Sequence, residues 1–354
     1  MKQVEDYISK IRGADVEAAE SARHIQDTLT KPPGSLGKLE SLSIRLAGVY
    51  GRSRPSVGSK TVFTMAADHG VTAEGVSAYP SDVTRQMVLN FASGGAAINV
   101  LARHMGAEVK VVDMGVASDE AWPEPIVNRK IAMGTRNMTH GPAMSLDEAR
   151  KSLEIGAELV AQAVENGATA IAIGDMGIGN TTAASAITSV MTGKTPAEVT
   201  GRGTGIDDSK LRLKVAVIGK AINLNSPESS DGIDTLSKVG GFEIGGLAGV
   251  ALGAASSRVP VFLDGFVSSS AALIAAEICP KSVDFMIASH LSVEPGHAFV
   301  LEHLGLAPVL DLNMRLGEGT GAVLAFGMAE AACKILSEMA TFDSAGVSGA
   351  CEGD

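Results

Sequence analysis

Short apolar runs recur along this chain, and each ends on a polar residue before a turn. They read Val62 to Ala66 before Asp68-His69-Gly70, Val109 to Val112 before Asp113-Met114-Gly115, and Ala170 to Ile173 before Gly174-Asp175. The pattern returns as Val259 to Leu263 before Asp264-Gly265, Val283 to Ala288 before Ser289-His290, and Pro308 to Leu310 before Asp311. Strands covered on both faces appear as unbroken apolar runs, so six buried parallel strands are expected. Between them the apolar spacing becomes helical. Ser145 to Glu148 is a capping box opening a helix with Leu146, Ala149, Leu153, Ala157, Val160 and Val164 on its inner face, closed by Asn166-Gly167. Asp82 to Ala92 predicts another, with Val83, Met87, Val88 and Phe91 inward. The fold class is therefore α/β, a Rossmann-like, doubly wound parallel sheet with helices on both faces. Ligands of such sheets sit outside the carboxyl ends of the strands, where the polar residues named above fall.

The two ends of the chain depart from this alternation. Val4 to Leu29 and Leu39 to Tyr50 are helical in pattern around the turn Lys31-Pro32-Pro33-Gly34-Ser35-Leu36-Gly37, and a last helix is expected near Thr320 to Ala340. They predict a small helical domain from residues 1–58 and 326–354, beside a large Rossmann-like α/β domain over 59–325. Thr341 to Asp354 has the Gly, Ser and acidic composition of a mobile tail. Ala121 to Met144 has Pro, Asn and Gly without periodicity and predicts a long covering loop.

Composition narrows the function. Of 354 residues 45% are hydrophobic and only 4% aromatic, with 41 glycines, so the core is aliphatic around many tight turns, which favours α/β over a β-sandwich. A net charge of −11 without a dense Lys/Arg cluster argues against nucleic acid and anionic lipid as partners. Cys279, Cys333 and Cys351 have neither disulfide nor metal-ligand spacing, as expected of reduced thiols. Met1 to Arg12 lacks a signal-peptide apolar region, and the charge-free stretch Ile244 to Ser257 falls short of the ~20 residues of a membrane helix. A cytoplasmic protein is the expectation.

Two glycine-studded turns carry the candidate chemistry. In Gly174 to Thr182 the glycines allow close backbone approach, and Asn180, Thr181 and Thr182 can cap a helix while other amides remain for an oxyanion. A second turn, Gly201-Arg202-Gly203-Thr204-Gly205, precedes a helix with Lys210, Arg212 and Lys214; the adjacent turn raises Lys214 above an ordinary solvated lysine. In Arg315 to Gly321, Glu318 stands between glycines near Leu312, Met314 and Leu316 at the end of the last expected strand, where an apolar rim would raise its pKa toward that of a working base. The histidines lack H-E-x-x-H, an i,i+4 pair or a Cys/His cluster, so no metal is expected.

At these residues the chain resembles the nicotinate-nucleotide:dimethylbenzimidazole phosphoribosyltransferases. The matching segments run in order from Lys31 to Gly37 through Ala67-Asp68-His69-Gly70-Val71, Val83 to Met87, Gly94 to Asn99, Pro142 to Ser145 and Gly174 to Thr182. They continue through Gly241 to Ile244, Ser289 to Ser292 and Arg315 to Gly321, which spans nearly the whole chain. The resemblance implies a homodimer of this fold, with nicotinate mononucleotide and a benzimidazole base as small-molecule substrates and no cofactor. It makes Glu318 the catalytic base. It assigns Asp175, Gly177, Ile178, Gly179, Asn180, Thr181, Thr182, Gly203 and Lys214 to the phosphate and ribose, and Ser81, Gln86, Met87 and Leu316 to the base. The family commonly carries glutamate at the position of Asp175, whose side chain reaches one methylene less far.

The implied reaction moves 5-phosphoribose from nicotinate mononucleotide to a benzimidazole nitrogen. Unlike a glycosidic alkoxide, a pyridinium leaves as a neutral ring and needs no acid, so one base suffices. Two other readings stay open: a metal-dependent phosphosugar hydrolase using Asp68, His69 and His290, and a non-catalytic carrier of a benzimidazole or its riboside.

Overall fold

The computed structural model describes residues 3–348, so Cys351 and the last part of the acidic tail lie outside the described residues. The sheet comprises β1 (Ser59–Ala67), β2 (Ala107–Gly115), β3 (Val127–Asn128), β4 (Ala168–Met176), β5 (Val261–Leu263) and β6 (Met286–Ala288). Its order is β3-β2-β1-β4-β5-β6 and every pairing is parallel, which is the doubly wound arrangement expected.

Alternation along β1 builds both layers. Phe63, Met65 and Ala67 enter one core with Ile173, Leu153 and Leu247, while Val62 and Ala66 enter the other with Ala172, Phe262 and Phe326. The first layer includes the helix Phe242–Ser256, buried all round from Phe242 to Ala255 and packed on the helix Leu146–Glu165. The latter opens with the predicted capping box: Ser145 Oγ accepts from the Glu148 amide, and Glu148 accepts from the Ser145 amide. Leu146 differs from expectation. It lies in the first turn, before the inner stripe is established, and is 53% exposed.

Six strands form, but not from the six runs that the pattern selects. Pro308 to Leu310 makes only an isolated parallel bridge between Leu310 and His290, so it extends the sheet edge without becoming a strand. Val127–Asn128, inside the expected loop, pairs with Val112 and Asp113 and forms the opposite edge instead. Two residues carry too little periodicity to be seen in sequence. Val283 to Phe285 lies in a 3-10 helix, Pro280–Phe285, which shortens β6 to three residues.

The expected helix Val4 to Leu29 is broken into Val4–Ile8 and Val16–Thr28. Val4 and Ile11 join the core of the sheet domain, whereas Ala22 packs with Ala47 and Leu336. Leu336 ends the helix Thr320–Glu338, which starts at the sheet's carboxyl edge and sets Phe326 edge-on to Phe262 with ring centres 4.9 Å apart. This helix is long and apolar enough to cross a membrane, yet Ala322, Val323, Ala325, Phe326, Ala329 and Ala332 are fully buried in the fold. Beyond it the chain does not go straight into a tail: Thr341 bridges Leu29, and Phe342–Ala345 forms a further short helix.

Candidate active site

The strand order reverses between β1 and β4, and a cavity of about 550 Å³ opens above their carboxyl ends. Asp175 to Ile178, Asn180 and Thr181 form one wall after β4, and Arg315 to Glu318 face them. Tyr79, Val83 and Met87 close the apolar side; Gly203 and Thr204, with Glu294, line another.

Glu318 sits at φ 64°, between Gly317 at 87° and Gly319 at 96°, so three left-handed residues follow one another. A glutamate held there costs roughly 1 to 3 kcal/mol and persists only where the surroundings fix it. The Thr64 hydroxyl donates to the Glu318 carbonyl at 2.8 Å, and the Glu318 amide donates to the Asp175 carbonyl at 3.2 Å. Asp264, after β5, accepts from the Gly319 amide at 2.9 Å and the Gly321 amide at 2.7 Å. The turn is thus tied to three strand ends. Gly174 permits this, because a Cβ there would lie 2.1 Å from the Gly319 nitrogen.

The Glu318 carboxylate points down and accepts from the Ile98 amide at 3.2 Å, at the start of the helix Ala97–Met105. Burial lifts its pKa above the ordinary carboxyl range; the Ile98 amide opposes that rise and Asp264 adds to it. The cause differs from the one expected. No strand precedes Glu318, and Leu312 and Leu316 are 52% and 58% exposed, so the edge of the sheet buries the acid rather than an apolar rim.

Asp175, the penultimate residue of β4, is also buried. Burial, then the nearby charges of Asp264 and Glu243, push its pKa up to about 8, against hydrogen bonds from Asn180 Nδ2 at 2.8 Å and Ser268 Oγ at 3.4 Å. Its protonated form is thereby favoured at neutral pH.

The glycine turn starts the helix Asn180–Thr192 without a side-chain cap. Asn180 is turned to Asp175 instead, and the Asn180 and Thr182 amides donate to the carbonyls of Gly177 and Gly179. The Ile178 amide donates to Thr84 Oγ1 at 3.1 Å, so these three amides already have partners. Lys214 is 1% exposed, whereas Lys210 and Arg212 are on the solvent side. Its ammonium donates to Thr181 Oγ1 at 2.8 Å, and burial lowers its pKa to about 8, with Glu294 opposing. Gly179, Thr182 and Lys214 stand behind the wall; Gly177, Ile178, Asn180, Thr181 and Gly203 face the cavity. Of the residues assigned to the base, Met87 and Leu316 line the cavity. Ser81 donates to Thr72 Oγ1 at 3.0 Å and Gln86 to Asp82 at 2.5 Å, and neither contributes to the wall.

His69 is paired through Nε2 with Glu243 Oε1 at 2.6 Å; burial would depress the imidazole pKa, but Glu243 raises it. His290 lies 3.4 Å from Asp264, with the same opposition between burial and carboxylate. His297 is held down to about 3 by burial and fixes the loop below Ser292, whose amide donates to its Nδ1 at 2.9 Å. Among the described residues no group of three His, Cys, Asp or Glu side chains is arranged to hold a metal. Sequence reasoning missed Tyr79, Thr204, Phe266, Ser292 and Glu294 as wall residues. Two of these had a signal: Thr204 lies in the glycine turn Gly201 to Gly205, and Ser292 in the segment Ser289 to Ser292 that follows a strand.

A doubly wound parallel sheet with a strained, buried glutamate at its switch point defines an α/β enzyme whose ligands enter between β1 and β4. A family model described as "Phosphoribosyltransferase" matches residues 11–347. The chain is 58% identical to the nicotinate-nucleotide–dimethylbenzimidazole phosphoribosyltransferase of Chloroflexus aggregans over 98% of this chain and 99% of that one. It is 56% identical to the enzyme of that name from Roseiflexus castenholzii over 100% of both. The crystal structure of the Thermus thermophilus enzyme of that name superposes with a TM-score of 0.90 at 46% identity, covering 95% of this chain and 100% of that chain. The chain therefore belongs to the nicotinate-nucleotide–dimethylbenzimidazole phosphoribosyltransferase family, as its motifs led one to expect.

Proposed function

We propose that this enzyme transfers 5-phosphoribose from nicotinate mononucleotide to 5,6-dimethylbenzimidazole, giving nicotinate and α-ribazole 5′-phosphate for the nucleotide loop of cobalamin. The observation that carries this reading is that Glu318 and the Gly177 to Thr181 turn border one cavity of about 550 Å³, enough for a nucleotide and a second heterocycle. Lys214, behind Thr181, supplies the buried positive charge for the phosphate, and Asp175, Asn180 and Gly203 border the ribose. Thr182 and Gly179 shape this turn from below.

Nicotinate leaves as a neutral ring by taking the electrons of its bond to C1′, so the departure needs no proton donor. The benzimidazole nitrogen attacks C1′ from the opposite face, which converts the β-linkage to α. Glu318 accepts the proton from the other ring nitrogen; its raised pKa brings it nearer to the operating pH, where a general base is most useful. Met87 and Leu316, with Val83, make the apolar contact to the base, while Ser81, the cap of the Met87 helix, and Gln86 within it stand outside the wall.

The charge balance supports a reaction without a divalent ion. The single phosphate stays on the ribose, and no pyrophosphate is released that would need one. Composition supports a cytoplasmic protein, the homodimer rests on the family resemblance alone, and the packing of Ala22, Ala47 and Leu336 supports a small helical unit from both chain ends beside the catalytic sheet. The test is to incubate the enzyme with nicotinate mononucleotide in EDTA, with and without dimethylbenzimidazole. Nicotinate release that requires the base and persists in chelator is expected; release without the base, or its loss in EDTA, would support the hydrolase instead. That alternative finds little support in His69 and His290, each already engaged with a carboxylate.

A further inference from the structure

His69 and Glu243 are buried together under the nucleotide side of the site, and the reaction proposed above uses neither. His69 is 2% exposed and Glu243 fully buried, with His69 Nε2 at 2.6 Å from Glu243 Oε1. Glu243 Oε2 has no hydrogen-bond partner among the described residues, so the carboxylate depends on this one bond and on its place in the first turn of the helix Phe242–Ser256. Two more carboxylates, Asp68 and Asp175, act on the same ring. Burial opposes a charge on the imidazole, but Glu243, Asp68 and Asp175 outweigh it and raise its pKa. A buried pair of charges is a costly way to fill space, since apolar side chains of similar size often do as well or better.

The pair is wedged between two stretches of backbone. A Cβ on Gly177 would lie 3.5 Å from His69 Cδ2 and Nε2, and one on Gly179 3.3 Å from His69 Cβ, so no more than a methyl's width separates the turn from this side chain. From the other side Gly241 leaves no room: a Cβ there would lie 2.4 Å from His69 Cε1 and 2.6 Å from Glu243 Oε2. The His69 carbonyl accepts from Thr72 Oγ1 at 2.8 Å, which fixes the residue's backbone as well. His69 itself stands outside the cavity wall, whereas Gly177, Ile178, Asn180 and Thr181 form it. The pair therefore reaches a ligand only through the turn.

We propose that His69 and Glu243 are positioning residues, a charged strut that holds the turn Gly177 to Thr181 at the height where it meets the sugar phosphate. This role rests on the reaction proposed above and supplies the support of its nucleotide half. Because the phosphate stays on the ribose throughout, the turn grips substrate and transition state alike, and losing its position weakens binding more than it slows the chemical step. Removing the imidazole alone is worse than removing both charges, since Glu243 is then left buried without a counter-charge, beside Asp68 and Asp175.

The experiment measures the Kd for ribose 5-phosphate by calorimetry and the steady-state constants for nicotinate mononucleotide and dimethylbenzimidazole. His69→Gln keeps a donor toward Glu243 but no charge. Its Kd for ribose 5-phosphate and KM for the nucleotide should rise by about ten- to a hundredfold, as a displacement of about 1 Å can cause. The KM for the base should stay within about twofold and kcat within about threefold. His69→Gln/Glu243→Gln, an uncharged amide pair, should recover most of the affinity. Gly241→Ala, which pushes on the pair from behind, should reproduce the loss with both charges intact. Wild-type affinity in His69→Gln, or a double variant no better than the single one, overturns the strut. So does an equal fall in nucleotide affinity, base affinity and kcat, the mark of a general structural loss. Should His69→Gln fail to fold, Gly241→Ala decides, and normal ribose 5-phosphate binding there overturns the strut. Variants that lose ribose 5-phosphate, in a protein whose wild type binds it but never releases nicotinate, would sink the proposed reaction and leave the strut standing.

Discussion

The Glu318 carboxylate receives the Ile98 amide at 3.2 Å, across 220 residues of sequence. The bond holds the acid at the start of the helix Ala97–Met105, so its direction is set before any substrate arrives. Glu318→Gln retains the size and acceptor oxygen but has no basic carboxylate. Turnover should drop by about two to four orders of magnitude, with nucleotide affinity kept, because a positioned base contributes that much. Single-turnover rates and equilibrium binding of nicotinate mononucleotide check this; a variant of normal rate would exclude Glu318 as the base. In the wild type, turnover should fall on the acid side with a midpoint above the ordinary carboxyl range, as protonation disables the base.

Lys214 should act mainly on binding. Lys214→Ala is expected to raise the KM for nicotinate mononucleotide by tenfold or more, about the ~1.5 to 3 kcal/mol of a hydrogen bond to a charged group, with a smaller change in kcat. Since its pKa is lowered to about 8, the lysine loses its charge above that pH, and nucleotide affinity should weaken there in the wild type alone. A KM that stays flat from pH 7 to 9 would remove this role.

Asp175 makes the stability of the fold itself sensitive to pH, with a loss on the alkaline side as well. A carboxyl whose folded pKa is raised to about 8 favours the protonated protein, so its contribution to stability is complete below about pH 4 and is lost progressively as pH rises through 8. Asp175→Asn removes the titration and retains the contact with Asn180 after rotation of the amides. The variant should gain ~1 kcal/mol or more over the wild type at pH 8 and nothing near pH 4. Urea denaturation at both pH values gives the answer, and equal gains at the two would refute it.

Gly174→Ala should be among the most damaging small changes. Its methyl would lie 2.1 Å from the Gly319 nitrogen and 2.2 Å from the Glu318 carbonyl carbon, and those atoms are backbone. Turnover should fall at least a hundredfold, as a shift of about 1 Å in a catalytic group can do. A crystal structure of the variant with the 317–319 turn in place, or normal activity, would contradict this.

What the sequence makes legible follows from the range of each interaction. Val62 to Ala66 and Ala170 to Ile173 are central strands buried on both faces, so their apolar runs were unambiguous, as was the capping box at Ser145. Val127–Asn128 was not readable because two residues pairing with β2 leave no pattern, and Pro308 to Leu310 was misread because an apolar triplet looks the same as a bridge or as a strand. At the site, glycine spacing pointed to Glu318 and the Asn180 turn. The bond from Ile98, the Asp264 anchor and the pair of His69 and Glu243 join residues distant in sequence, and no local motif encodes them.

The helix Thr320–Glu338 begins two residues after Glu318, the proposed base, and near its other end sets Leu336 against Ala22 and Ala47. At 1.5 Å per residue it is a lever roughly 28 Å long, with the reaction at one tip and the packing of the N-terminal helices at the other. Its fulcrum is the ring of Phe326 on Phe262. Loosening the distal tip is therefore expected to reach the proximal one, so that Leu336→Ala, which touches no substrate, should lower turnover as well as stability.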